Sequence, residues 1–346
     1  MTAGAATART QRVPHFAGGG RIESRERPVH DPGAGELLLR VRANALCGTD
    51  RDQLLNGSEV TPGHEAAGDV VAAGPGTSTA VGTNGVVYLM DFCGECRSCR
   101  LGATNLCLAK RADMGFTRDG GFGRFELVHE TNFFATGPEL DPAEATLLLD
   151  VMGTTSHALA RAAAARRDIQ SVLVAGAGPV GLGVVAMARL LLGPGVPILI
   201  TDVIPFRLEL AERLGAAPID LRDRELADAL REVGLAEGAD VAIDTSGREA
   251  ARRSLLDGLG RRGVLVCVGH GQGLSISVSD DLIAPERTVM GSEYFRYDAL
   301  AANEELLRRN HAYLGQIITH RFGIDELEEA YRLFLAGQSG KVVIEQ

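Results

Sequence analysis

From about residue 170 the chain settles into a strict alternation of apolar strands and helices. SVLVAGAG, VPILITD, ADVAIDTSG and RGVLVCVGH read as buried strands. PVGLGVVAMARLL, PFRLELAERLG, LADALREVG and REAARRSLLDGLG read as helices placed among them, and RTVMGSE as one further strand. Such alternation implies βαβ crossovers, which predicts an α/β, doubly wound parallel sheet. The first strand runs into G-x-G-x-x-G, formed by Gly176, Gly178 and Gly181, at the start of an apolar helix. In that context Gly176 allows the tight turn, Gly178 lets backbone approach a pyrophosphate, and Gly181 lets helix pack on strand. Pro179 and Val180 open the helix, whose N-terminal turn offers oriented N–H groups to phosphate. Asp202 closes the next strand, 21 residues past Gly181. A carboxylate there accepts the ribose hydroxyls of NAD and repels the 2′-phosphate of NADP. Arg207, five residues on, softens that repulsion, so NAD is expected over NADP without NADP being barred.

Upstream the style differs. ELLLRVRA, AAGDVVAAG, GVVYLM and GRFELVH are short Val/Leu runs between Gly-rich turns, and residues 35 to 135 read as all-β. A chain of 346 residues exceeds one ordinary core and calls for two domains. Composition places a β-rich domain at 1–150, a dinucleotide-binding domain at 151–291, and a C-terminal segment at 292–346. That last segment turns helical near Glu304 and ends in the strand GKVVIEQ. MTAGAATARTQRVP lacks the apolar core of a secretory signal and is expected to be a disordered tail, with the cytoplasm as the expected compartment. The net charge of −10 argues against nucleic acid or an anionic membrane surface as partner. The best apolar run, VVAMARLLLGPGVPILI, is broken by Arg189, Gly and Pro and does not span a bilayer.

Four of the six cysteines fall within CGECRSCRLGATNLC, with the spacing C-x2-C-x2-C-x7-C. In a reducing compartment a cluster of this density favours metal over disulfides. Cys93, Cys96, Cys99 and Cys107 close a tetrahedral zinc shell with no open position, which makes a structural site. Iron–sulfur runs commonly differ in spacing and end in Cys-Pro. A nucleic-acid zinc module would use the local basic residues Arg97, Arg100, Lys110 and Arg111, but the acidic whole and the lack of aromatics in the loop oppose it. Of the remaining thiols, Cys267 in VLVCV reads as a buried core residue. Cys47 lies in the polar turn ALCGTDRD, and His64 and Glu65 follow in TPGHEAAG. Taken alone, His64 is more often a structural imidazole than a ligand. Together one Cys, one His and one carboxylate make a catalytic zinc shell that leaves a position for substrate.

CGTD, GHE, the four-cysteine lobe and the dinucleotide fingerprint, in this order, resemble the zinc-dependent medium-chain alcohol dehydrogenases over nearly the whole chain. The resemblance is to the polyol, threonine and glucose dehydrogenase branch. It implies a GroES-like β-rich catalytic domain plus a Rossmann domain, with the last segment returning to the first. It implies Cys47 and His64 as catalytic zinc ligands, Glu65 ligating or standing just behind the ion, and Asp150 of LLLDVMGTTSHAL at the remaining ligand position. Asp150, Gly153 and His157 resemble the D-x-x-G-x-x-x-H pattern of threonine dehydrogenases, whereas CGTDR resembles glucose dehydrogenases. Thr49 matches the hydroxyl that passes the substrate proton outward, and Asp50 the partner of the histidine ligand. Asp52 stands where many relatives carry a relay histidine, and the spacer from Cys47 to His64 is short for the family. The expected activity is hydride transfer between a polar secondary alcohol and NAD, with two zinc ions per chain. The candidate substrates are a polyol, sugar, aminocyclitol or hydroxy amino acid. The resemblance also implies a homo-oligomer, dimer or tetramer. Only 5% aromatics and no Trp speak against a slot for a bulky apolar alcohol. The alternative reading is a non-catalytic descendant that keeps NAD and zinc.

Overall fold

The structure, a computed structural model, describes residues 9–346. The chain forms two compact units. The first holds the residues up to Thr146 together with Arg321–Tyr331 and Val342–Gln346. The second holds Leu147–His320 and Arg332–Lys341. The residues past 291 are therefore divided: helix Ala299–Leu314 belongs to the second unit, and only shorter pieces return to the first. The physical reason is the buried face of that helix, Leu300, Asn303 and Leu307, with Asn303 Nδ2 reaching Ser156 Oγ at 3.2 Å.

The main sheet of the first unit is organised on Glu36–Ala45, whose Leu37, Leu38, Leu39 and Val41 are buried. Along the sheet the strands run Ile318–Gly323, Lys341–Glu345, Glu36–Ala45, Ala66–Ala73, Asn84–Val87 and Phe133–Ala135, with Phe125–His129 also paired to Glu36–Ala45. Leu37, Leu39, Val41, Ala66, Val70, Val87, Met114, Val128 and Phe133 form one core. One carboxylate breaks into this pattern. Glu126 pairs across the ladder with Leu39, two residues before the core residue Val128, and is only 1% exposed. Cross-strand partners share a face of the sheet, so its carboxyl lies on the apolar side. Neither oxygen finds a hydrogen-bond partner among the described residues. Burial, with a smaller contribution from Asp119, holds its pKa well above the ordinary carboxylate value.

The expected N-terminal tail is corrected in part. Residues 1–8 lie outside the described residues, but Thr10–Gly18 is a strand, antiparallel to Arg21–Pro28. It is held by two features that the polar sequence around it conceals. Phe16 is fully buried against Phe122 and Tyr331. The Gln11 side chain bonds both the N–H and the carbonyl of Phe125 at 2.8 Å.

In the second unit six parallel strands follow the order Ala217–Asp220, Ile198–Asp202, Val172–Ala175, Ala239–Asp244, Leu259–Cys267 and Thr288–Gly291. This is the doubly wound order, whose reversal beside the first strand opens a crevice at the carboxyl ends. Cys267 was expected in the core, but it ends its strand half-buried beside the Asp244–Arg252 pair. No described helix is long and apolar enough to cross a membrane.

Candidate active site

Antiparallel pairing of Glu36–Ala45 with Ala66–Ala73 sets Asn44 opposite Ala66, and Ala45 N–H donates to Glu65 O at 3.1 Å. The residues just outside that ladder, Cys47 on one side and His64 and Glu65 on the other, are thereby brought together. Asp150 follows the fully buried run Leu147–Leu149. Cys47, His64 and Glu65 of the first unit are all buried, and each offers a ligand atom within 4.8 Å of the others; Asp150, in the second unit, is buried as well. A buried thiol, an imidazole and a carboxylate favour a cation, because buried anions are stable only when paired or coordinating a metal. The mixed S, N and O donor set fits zinc.

The supporting groups are arranged by the turn after Cys47. Asp50, 0% exposed, opens helix Asp50–Asn56. Its Oδ2 accepts from Cys47 N–H at 3.0 Å, and its Oδ1 lies 3.2 Å from His64 Nδ1. With Nδ1 facing a carboxylate, Nε2 of His64 is the nitrogen left for a metal. Thr49 is exposed, and its hydroxyl donates to Cys47 Sγ at 3.3 Å. Asp52 is exposed on the same helix, where it accepts from Asn56 Nδ2 at 2.7 Å. Two neighbours escape a reading of the sequence. Phe116 lays its ring 4.9 Å from the His64 ring, and Tyr331 donates its hydroxyl to Asp50 Oδ2 at 2.8 Å. Neither lies near a motif.

The four-cysteine lobe is closed upon itself. Four sulfurs about 2.3 Å from one zinc stand about 3.8 Å apart in a tetrahedron. Here Cys93–Cys99, Cys96–Cys107 and Cys93–Cys107 are 4.0, 3.9 and 3.6 Å apart. Backbone amides of Glu95 and Cys96 donate to Cys93 Sγ, those of Cys99 and Leu108 to Cys96 Sγ, and that of Cys93 to Cys107 Sγ. The Cys99 and Leu108 amides lower the Cys96 pKa to about 6, while burial pushes Cys99 up to about 12. Thiolate character is thus built in at one sulfur and must be completed by a metal at another.

In the dinucleotide loop each glycine meets a separate demand. Gly176 has φ +92°, a left-handed turn. A Cβ on Gly178 would meet only Arg207 Nη1 at 4.0 Å, so the loop has a side open to a ligand. A Cβ on Gly181 would stand 1.8 Å from Gly176 O, which fixes close packing of helix Pro179–Leu192 on its strand. Asp202 Oδ2 accepts from Ala177 N–H at 2.7 Å, and its Oδ1 accepts from Val203 and Ile204 N–H at 2.7 and 3.0 Å. The carboxylate is therefore held rigidly beside the loop. Arg207 is half-buried; burial draws its pKa down while Asp202 opposes that.

Residues 33–138 match the alcohol dehydrogenase GroES-like domain, and residues 179–309 the zinc-binding dehydrogenase domain. An L-threonine 3-dehydrogenase of Sinorhizobium medicae (strain WSM419) is 33% identical, covering 92% of this chain and 93% of its own. The chain belongs to the zinc-dependent medium-chain alcohol dehydrogenase family. It is accordingly a zinc-dependent oxidoreductase acting on alcohols with a nicotinamide cofactor. A second dehydrogenase of the same name, from Saccharopolyspora erythraea, is 31% identical over 94% of this chain and 95% of its own. Among solved structures, the alcohol dehydrogenase TADH of Thermus sp. ATN1 superposes with a TM-score of 0.88 at 26% identity, covering 97% of this dehydrogenase and 99% of its own chain. A protein of Sinorhizobium meliloti 1021, described as a zinc-binding dehydrogenase and bound to NADP, gives 0.85 at 26% identity over 98% and 100%. Nothing in these likenesses favours a non-catalytic descendant.

Proposed function

We propose that this dehydrogenase oxidises the secondary hydroxyl of a small polar alcohol, a polyol, sugar, aminocyclitol or hydroxy amino acid, with NAD as the preferred acceptor. The observation that carries the reading is the buried Cys47–His64–Glu65 cluster of the first unit, with every ligand atom within 4.8 Å of the others. Cys47, His64 and Asp150 are the proposed ligands of the catalytic zinc, with Glu65 ligating or directly behind. Cys93, Cys96, Cys99 and Cys107 hold a second, structural zinc, giving two ions per chain. When bound, zinc polarises the alcohol oxygen as a Lewis acid and the nicotinamide accepts the hydride.

The chain's own groups manage the proton and the geometry. Thr49, exposed beside the Cys47 sulfur, receives the alcohol proton at its hydroxyl and passes it outward. Asp52, exposed on the same helix, is the solvent end of that relay. Asp50 holds the His64 tautomer by facing Nδ1. Gly176, Gly178, Pro179, Val180 and Gly181 seat the pyrophosphate at the helix N-terminus. Asp202 accepts from the adenosine ribose and disfavours a 2′-phosphate, which Arg207 partly offsets. The threonine dehydrogenase relatives put β-hydroxy amino acids first among the substrates to test. A homo-oligomer, dimer or tetramer, is proposed on the edge position of Thr288–Gly291 in the six-stranded sheet. A cytoplasmic setting is proposed, where a four-cysteine cluster takes metal in preference to disulfides.

The test is NADH formation by zinc-replete protein with threonine, sorbitol, glucose, inositols, aminocyclitols and simple secondary alcohols, repeated with NADP. Turnover of a polar member, with kcat/KM for NAD at least tenfold above that for NADP, is expected. Equal turnover with NADP overturns the role of Asp202. A Cys47→Ala variant should hold one zinc and lose activity; full activity in that variant refutes the catalytic cluster.

A further inference from the structure

Tyr331 reaches the active site from the far end of the chain. It lies on helix Leu327–Leu335 and is 2% exposed. Its ring is boxed by Phe16 in an edge contact at 5.3 Å and by Phe122 at 6.2 Å. Its hydroxyl donates to Asp50 Oδ2 at 2.8 Å, the oxygen that also accepts from Cys47 N–H at 3.0 Å. The other oxygen of Asp50 lies 3.2 Å from His64 Nδ1. Asp50 thus faces three groups from three separate stretches of chain, with two hydrogen bonds at Oδ2 and the His64 ring beside Oδ1. Two of those belong to residues proposed as zinc ligands; the third is the phenol.

We infer that Tyr331 is a positioning residue of the catalytic centre: its hydroxyl locks the Asp50 carboxylate, and through it the orientation of His64 and the backbone of Cys47. A carboxylate turns about its last side-chain bond unless both oxygens are held. Without the phenol, Asp50 Oδ2 keeps only the Cys47 amide, and the imbalance is passed to the imidazole. Burial, with the adjoining Asp50 charge, keeps the phenol pKa well above its ordinary value, so the group remains a donor. The ring and the hydroxyl have separable tasks, because the aromatic contacts with Phe16 and Phe122 involve only the ring. Partners behind metal ligands commonly change metal affinity by about 10–100-fold, and Tyr331 stands one step further back. A loss of about tenfold is therefore expected.

The inference rests on the proposed zinc cluster, and the experiment separates the two. Purified full-length protein loaded with zinc is exposed to EDTA, and zinc remaining per chain is followed over time for wild type, Tyr331→Phe and Phe16→Leu. The cobalt-loaded proteins are compared by visible absorption, which reports ligand geometry. In Tyr331→Phe one of two zinc equivalents should leave about tenfold faster, the other at the wild-type rate, and the cobalt band should shift. Phe16→Leu, which disturbs ring packing and spares the hydroxyl, should behave as wild type in both. Unchanged zinc loss and an unchanged band in Tyr331→Phe overturn the inference, as does equal lability in Phe16→Leu. Wild type that holds only one zinc defeats the underlying cluster instead. Should Tyr331→Phe not fold, Asp50→Asn must show the same selective lability, and its absence overturns the proposal.

Discussion

Replacing Glu126 by Leu should stabilise the protein, and by more at neutral than at acid pH. The carboxyl sits across the ladder from Leu39, on a face shared with Val128, and its pKa is raised by burial and then by Asp119. In the unfolded chain Glu126 ionises near the ordinary value of 4.5. The folded state retains the proton above that pH, so the native form binds more protons than the unfolded form. Stability therefore falls as pH rises from 4.5 towards the folded-state value. Each pH unit in that window costs about 1.4 kcal/mol. Below it, a neutral carboxyl without a partner still costs about 1–3 kcal/mol relative to an apolar side chain. The two contributions add in Glu126→Leu, whose side chain suits the apolar neighbours. The assay is the urea midpoint at pH 5.5, 6.5 and 7.5 with zinc saturating. Every other titrating group, the zinc thiols included, is common to both proteins and cancels in the difference. A gap between the variants that widens with pH is expected. Parallel midpoints refute the buried-carboxyl argument.

Three further outcomes follow from the site. Thr49→Ala should lower kcat by about 10²–10⁴-fold, the usual worth of a positioned proton-transfer group, while zinc per chain stays at two. Gly181→Ala forces a methyl to within 1.8 Å of Gly176 O; overpacking of this kind costs about 1–3 kcal/mol, and both thermal stability and NADH fluorescence titration should weaken. Cys99→Ser should remove the lobe zinc alone, measured as one zinc per chain with a lowered melting temperature, and leave the NAD affinity of the other unit unchanged.

The sequence carried much of this arrangement because its strongest signals are local. The fingerprint glycines act within six residues, and the lobe closes over fifteen, so spacing alone expressed their geometry. Cys47 and His64 were within reach because both flank strands that pair directly. Glu126 was hidden for another reason: in FELVH it reads as the polar member of an alternating strand, and only the register to Leu39 reveals its face. The strand from Thr10 was hidden because its anchors, Phe16 and Gln11, find partners more than a hundred residues away. Tyr331 is the extreme case, since nothing within its own helix hints at a carboxylate 281 residues upstream. Asp52 was placed by likeness to a relay position, and only the structure places it on the solvent side of its helix.

That same span sets a timetable for biosynthesis. Asp50 leaves the ribosome 281 residues before its phenol partner, which at about 5–20 residues per second is roughly 15–60 s. Through that interval Ala43–Ala45, which later pairs with Val343–Glu345, presents an open backbone edge of the kind that invites pairing with other chains. The six-stranded sheet has all its strands by Gly291 and can be complete first. Newly made enzyme is thus expected to complete its nucleotide-binding sheet before its reactive metal is held at full strength.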